Sequence, residues 1–302
     1  MPSIKDGKAT QLLTTPATRV VVFNWNATTQ QWVGGNPTGG TPIEAALIDR
    51  PLDPTYDEQF NVAVERQLWR NAAASVTYIY KKTHDLYEDS CLDEECSNFW
   101  LTNQPGAFLG IEDVLRKEYY GYFFEFEQRF NRGQVFLNYG YSKARGSIGD
   151  EVDKQYAGVD FDVFPDHFVN RYGFQPDDAR HRFKIFGSYT IPWIETDFGV
   201  NYFFRTGLPY TRQRSSPFGG TEFVEPRGNS RTEDLHQLDV SLEKRFTLYR
   251  TLSVSVIGQV RNVLDYEAGT TYFTNVGSPA TVGTPSAYQL PRNYQVGFRI
   301  DF

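Results

Sequence analysis

Apolar and polar residues alternate one for one along much of this chain, and the last nine positions show it most plainly. In Tyr294–Phe302, Tyr294, Val296, Phe298, Ile300 and Phe302 fall on one face, and Gln295, Gly297, Arg299 and Asp301 on the other. Successive side chains of an extended strand point to opposite sides, so this segment has one wholly apolar and one wholly polar face. Eight earlier segments carry the same signature and predict strands at 57–68, 72–82, 117–130, 134–143, 181–193, 196–205, 236–246 and 251–262. In the segment 117–130, for example, Tyr120, Tyr122, Phe124, Phe126 and Phe130 alternate with Gly121, Glu125, Glu127 and Arg129.

Three properties of this set separate a soluble sheet from a membrane wall. The segments run to about 9–13 residues, which suits a tilted membrane-spanning strand better than the soluble average of about 5–6. Their polar faces carry full charges in mid-strand (Glu125, Lys184, Glu243, Arg261), which a wet lumen tolerates and a dry core does not. Their apolar faces are nearly free of charge, as they must be where a mid-bilayer Arg or Lys costs about 2–4 kcal/mol. The exceptions, Arg66, Gln128 and Lys244, each lie two residues before the apolar residue that closes the strand. All three are expected at one rim, where long side chains reach water.

The connections alternate between short turns (69–71, 131–133, 194–195, 247–250) and long loops (about 83–116, 144–180, 206–235 and 263–292). Short turns at one end and long loops at the other is the outer-membrane arrangement, and a compact soluble domain rarely carries four such loops. The expected fold is all-β: an antiparallel up-and-down transmembrane β-barrel segment of about nine strands. Residues 57–302 would form the barrel portion. Residues 1–56, with the loop-like run Gly34–Pro42, would form an extracellular loop region with a possible hairpin.

Composition adds constraints. Apolar residues make up 40% of the 302, and no apolar run approaches the roughly 20 residues of a spanning helix. Aromatic residues reach 16%, with 24 Phe and 19 Tyr against one Met, which suits rings placed at a membrane–water boundary. A net charge of −7 argues against a nucleic-acid partner, which calls for a clustered basic footprint. The first 19 residues contain no apolar h-region, so they do not read as a secretory signal.

Candidate chemistry is sparse. Four dispersed histidines (His84, His167, His181, His236) and the absence of H-E-x-x-H, P-loop and G-x-S-x-G patterns point to no enzyme and no cofactor. His181, between Arg180 and Arg182, reads as a rim contact. Cys91 and Cys96 alone lack two ligands of a zinc site, so a local disulfide in an oxidising compartment is expected. Around them, Asp85, Glu88, Asp89, Asp93, Glu94 and Glu95 are candidate Ca²⁺ ligands through hard oxygens; the simpler reading is a solvated acidic loop tip. A second acidic run (Asp150, Glu151, Asp153, Asp160, Asp162, Asp166) is interleaved with Phe161, Phe164 and Phe168, which suggests loop packing or contact with a ligand at the mouth.

Several of these segments carry a resemblance. Asp57-Glu-Gln-Phe-Asn-Val-Ala-Val-Glu-Arg66 followed by Ser75-Val-Thr-Tyr-Ile-Tyr80 resembles a hairpin of TonB-dependent outer-membrane receptors, and more narrowly of the Oar-like group with a carboxypeptidase-regulatory-like N-terminal domain. So do Asn170-Arg-Tyr-Gly173 with Asp177-Asp-Ala-Arg-His-Arg-Phe-Lys184, Arg205-Thr-Gly-Leu-Pro-Tyr-Thr211, Leu238-Asp-Val-Ser-Leu-Glu-Lys-Arg-Phe246 and Val260-Arg-Asn-Val-Leu264. The resemblance covers roughly residues 50–302 and implies the C-terminal part of a 22-stranded barrel. It also implies that Tyr294, Val296, Phe298, Ile300 and Phe302 form the signal read by the barrel-assembly machinery.

The function so implied is uptake of a scarce or large substrate across the outer membrane of a Gram-negative bacterium, by a chain that is truncated and not active alone. Its partners would be outer-membrane lipid and the missing N-terminal barrel and plug, and through them TonB. The alternatives are a self-contained porin-like or adhesin-like barrel and a soluble β-sandwich. The long, continuous apolar faces disfavour the sandwich.

Overall fold

The computed structural model describes residues 53–86, 102–103, 115–147, 169–215, 222–249 and 252–302 in full, together with the backbone of a few further strand segments, among them Glu88–Cys91 and Phe99–Thr102. Nine long strands form one antiparallel sheet in chain order. They are β1 (Tyr56–Trp69), β2 (Ala72–His84), β3 (Lys117–Phe130), β4 (Gly133–Gly146), β5 (His181–Ile191), β6 (Thr196–Arg205), β7 (Leu235–Tyr249), β8 (Leu252–Arg261) and β9 (Asn293–Asp301). The pair Gly173–Phe174 adds to the long-loop end of β4. No helix occurs among the described residues. Segments within residues 3–34 pair separately as a four-stranded antiparallel meander.

The predicted strands are all present, with shifts only at their ends. Strand β4 runs on to Gly146 because Arg145 and Gly146 pair with Phe174 and Gly173. Strand β5 stops at Ile191, before Trp193, where a four-residue turn with Glu195 at φ +44° reverses the chain. Strand β7 extends to Tyr249 through a register shift between Thr247 and Tyr249.

Register shows how the sheet is inclined. A single row of partners runs through Trp69, Ala72, Gln128, Val135, Gly187, Val200, Val240, Val260 and Tyr294. The row begins at the short-turn end of β1 and finishes at the long-loop end of β9. Eight steps of about 4.8 Å, against a stagger of about eight residues at about 3.3 Å each, give a strand tilt of roughly 35°. Closed barrels need such a tilt. Strands β1 and β9 end the sheet, each paired on one side only among the described residues.

The two faces differ as the alternation requires. Phe60, Val64, Val76, Tyr122 and Leu242 all lie exposed on the apolar face, and on β9 Tyr294, Val296, Phe298 and Ile300 are 61–72% exposed. Among the described residues nothing covers this face. The opposite face is a lattice of polar pairs: Lys81 with Asp57 (2.9 Å), Asn138 with Glu125 (2.9 Å), Thr190 with Asp197 (2.6 Å), and Arg299 with Glu243. The expected short-turn rim is also present. Lys244 donates to the carbonyl of Ile194 in the β5–β6 turn, and the Trp69 indole donates to Gln128 Oε1 at 2.6 Å.

Candidate functional site at the loop end of the wall

The long connections pack into a layer at one end of the sheet. This layer is held mainly by charge. Asp178 is 1% exposed. Its Oδ1 accepts from the Ala144 amide (2.7 Å), and its Oδ2 lies 2.6 Å from Arg231 Nη2 and 3.4 Å from Arg180 Nη2. Arg231 also donates through Nη1 to the carbonyls of Asp178 and Gly207, both at 2.8 Å. A carboxylate buried this deeply persists only when its oxygens are matched. Gly207 is required because a Cβ there would overlap the Thr232 carbonyl oxygen. Two sequence-distant segments, 178–180 and the one holding Arg231, are thereby tied to the ends of β4 and β6.

Arg227 is a second anchor. Its Nη1 donates to the Ser147 carbonyl (2.9 Å), its amide donates to the Asn170 carbonyl (2.9 Å), and its own carbonyl accepts from the Phe174 amide (3.0 Å). The Phe174 ring faces the guanidiniums of Arg145 and Arg180 at 4.5 and 4.7 Å, a cation–π contact at each. Glu225 is the third. Burial pushes its carboxyl up, but hydrogen bonds from the Arg212 side chain and amide, Asn229 and Ser230 outweigh this and hold it below the ordinary glutamate value. Asn262, at φ +51°, ends β8. Its side-chain amide donates to the carbonyls of Tyr266 and Leu290 (both 3.0 Å), and its backbone amide donates to Asp239 Oδ1 (2.9 Å).

Below this layer the polar face presents open surfaces. A recess of ≈ 400 Å³ is bordered by Lys117, Tyr119, Ser142, Gln175, Asp177 and Arg182. A groove of ≈ 370 Å³ lies along Gln134, Asn201, Asp239, Ser241, Gln259 and Arg261. At the edge of the recess Arg182 stands directly opposite Arg205 across β5 and β6, and Lys184 lies over the Phe203 ring at 5.5 Å.

The residues singled out in the sequence have varied outcomes. Asp85 is described, at φ +51°, with its carbonyl accepting from Thr55 and Asn103. The side chains of Glu88, Asp89, Asp93, Glu94, Glu95, Cys91 and Cys96 lie outside the described residues, as does the acidic run 150–166. Among the described residues, no group of His, Cys, Asp and Glu is arranged to hold a metal. His181 meets the rim, with Nδ1 2.8 Å from the Tyr139 hydroxyl, and His236 repeats the motif with Tyr202 at 2.9 Å. Phe302 is 98% exposed at the end of the apolar face. Periodicity alone did not reveal Asp178, Arg227, Arg231 or Glu225, whose partners are distant in sequence. Of these four only Asp178 lies in a segment singled out by resemblance (177–184); Asn262 lies in another (260–264).

Comparison with known proteins agrees with this geometry. The family model for the outer membrane beta barrel domain matches residues 5–210. No curated protein matches the chain in sequence. Among solved structures, the ferripyoverdine receptor of the outer membrane of Pseudomonas aeruginosa aligns over 99% of this chain and 32% of its own, at 14% identity and TM-score 0.51. The outer membrane transporter YddB from Escherichia coli aligns over 94% of this chain and 38% of its own, at 11% identity and TM-score 0.56. The ferric yersiniabactin uptake receptor FyuA from Yersinia pestis aligns over 98% and 36%, at 13% identity and TM-score 0.51. The chain thus spans about a third of the length of these structures, and the likeness is one of fold. An uncovered apolar face, a polar face laced with ion pairs, tilted strands and a layer of long loops, together with the match to 5–210, place the chain in the outer membrane beta barrel domain family, in the outer membrane of a Gram-negative cell.

Proposed function

We propose that this chain forms part of the wall and loop layer of a TonB-dependent outer-membrane receptor of the Oar-like group, specifically the C-terminal portion of its barrel. One observation carries this reading most: the sheet has the tilt and face polarity of a barrel wall but ends in two strands, β1 and β9, each with a free side among the described residues. Unpaired backbone groups cannot face hydrocarbon, so further strands complete the wall in the membrane. The loop layer would capture a scarce or large substrate outside the cell. A plug domain within the completed barrel, in contact with TonB, would release it inward. The chain itself performs no chemistry. Its lipid partner covers the apolar face, and the barrel-assembly machinery would recognise Tyr294, Val296, Phe298, Ile300 and Phe302.

The test is cross-linking in outer membranes of the host, with photo-reactive residues at Asn61 on β1 and Gln295 on β9. The receptor reading predicts adducts to polypeptide beyond the nine strands at both positions. Adducts joining β1 and β9 of one chain, directly or through residues 1–56, would instead establish a self-contained porin-like barrel.

A further inference from the structure

We propose that Arg182, Arg205 and Lys184 form an oxyanion-binding site on the polar face of the wall, beneath the loop layer, and that the solute handled there presents a carboxylate or phosphate group. The proposal deepens the receptor reading and rests on it, since only a completed barrel turns this face into a lumen.

The geometry is unusual for a structural feature. Arg182 and Arg205 are direct cross-strand partners on one face, and like charges directly opposite destabilise a sheet. Several charges elsewhere on this face are matched by an opposite one, as in Lys81–Asp57, Arg129–Glu127 and Arg299–Glu243. Here no carboxylate of a described residue comes within 4.0 Å of any of the three cations. Arg182 spends one donor on the Asp177 carbonyl (2.8 Å). Lys184 rests on Phe203. Arg205 Nη1 is buried and has no hydrogen-bond partner. Asp177 and Asp234 are close enough to act on Arg205 but do not pair with it.

Guanidiniums present planar arrays of donors that match carboxylate and phosphate oxygens, so an oxyanion between the two arginines would satisfy the orphaned donor and neutralise the repulsion together. Arg182 also borders the recess of ≈ 400 Å³, which opens beside the pair. The next residue in the same cross-strand row beyond Arg182 is Gly140, followed by Phe123. The Phe123 ring lies across Gly140 and offers an apolar surface beside the charge.

The test uses the full chain purified from outer membranes in detergent. Thermal unfolding is followed against citrate and against inorganic phosphate, with chloride at matched ionic strength as control. Either anion should raise the midpoint saturably in the wild type. Arg205→Gln should weaken the half-saturating concentration at least about tenfold, the scale of one lost charge-assisted bond. Without anion, Arg205→Gln should unfold at the same temperature or higher, because repulsion has been removed. Arg182→Gln should behave likewise, and Arg205→Lys should retain part of the response. An unsaturable or chloride-like response overturns the site. So does an unchanged response in both Gln variants, or a lower midpoint of Arg205→Gln without anion, which would mark the arginine as a structural support. These failures leave the cross-linking result untouched, so loss of the site and loss of the receptor reading can be told apart.

Discussion

The wall and the loop layer of this protein invert one another. On the wall the large apolar side chains are exposed, Val64 at 65% and Phe298 at 72%, while in the loop layer charged ones are buried, Asp178 at 1% and Arg227 at 3%. Among the described residues few hydrophobic side chains are buried (Ala72, Ala179, Tyr210, Phe223 and Ala268), so neither region has an ordinary hydrophobic core there. The wall is held by continuous backbone ladders and completed by hydrocarbon outside it. The loop layer faces water and has too little apolar surface to bury, so ion pairs and hydrogen bonds to backbone carbonyls fix its shape. The two regions should therefore fail under different perturbations.

The largest effect is expected at Asp178. Changing it to Ala removes the carboxylate that Arg180 Nη2, Arg231 Nη2 and the Ala144 amide share, and breaking such a buried group costs about 3–5 kcal/mol. Segments 169–180 and 206–234 should become sensitive to protease while the strands stay protected. If the strands open equally, the two regions are one cooperative unit and the contrast fails. Next come neighbouring positions on β6. Val200→Arg places a charge on the mid-wall apolar face and should cost about 2–4 kcal/mol of membrane stability. Asn201→Arg, one residue away on the polar face, should change stability by no more than about 0.5 kcal/mol. Urea titration in lipid vesicles measures both, and equal losses would remove the distinction between the faces.

A smaller effect follows from acid. Glu225 is held below its ordinary value in the fold, so its contribution is complete above the unfolded-state value near 4.5 and disappears as pH falls through the lower folded one. Hydrogen-exchange protection of 222–231, relative to the intrinsic rate at each pH, should fall below about pH 4.5 before that of the strands does, and Glu225→Gln should flatten that dependence. The smallest effect is expected at Trp193, 81% exposed at the tip of a short turn. Trp193→Ala should shift folded stability by within about 0.5 kcal/mol, and tryptophan emission should show the loss of a ring at the membrane boundary.

The same contrast explains what could be read from sequence. Strand recognition needs only local periodicity, which is unbroken in 294–302 and interrupted in 117–130 by Gln128 on the apolar face and by Tyr119 and Phe123 on the polar one. Strand ends depended on less local facts: the Gly173–Phe174 pair that prolongs β4, and Glu195 at positive φ, which stops β5 short of Trp193. The loop layer was opaque because its bonds join distant residues. Arg227 reaches Ser147, and Arg231 reaches Asp178. Neither shows in a window of ten residues. The Arg182–Arg205 pair was likewise hidden, since register alone brings those positions together.

The most direct measurement is a spin-label scan of residues 238–243 on β7, one label at a time in a Cys91→Ser, Cys96→Ser background reconstituted into lipid vesicles, with oxygen and a water-soluble nickel complex as relaxation agents. Labels at 238, 240 and 242 should collide mainly with oxygen, and labels at 239, 241 and 243 mainly with nickel, in strict alternation. Shielding of the even positions from both agents would mean that the apolar face packs against protein, and the membrane-wall account would be wrong.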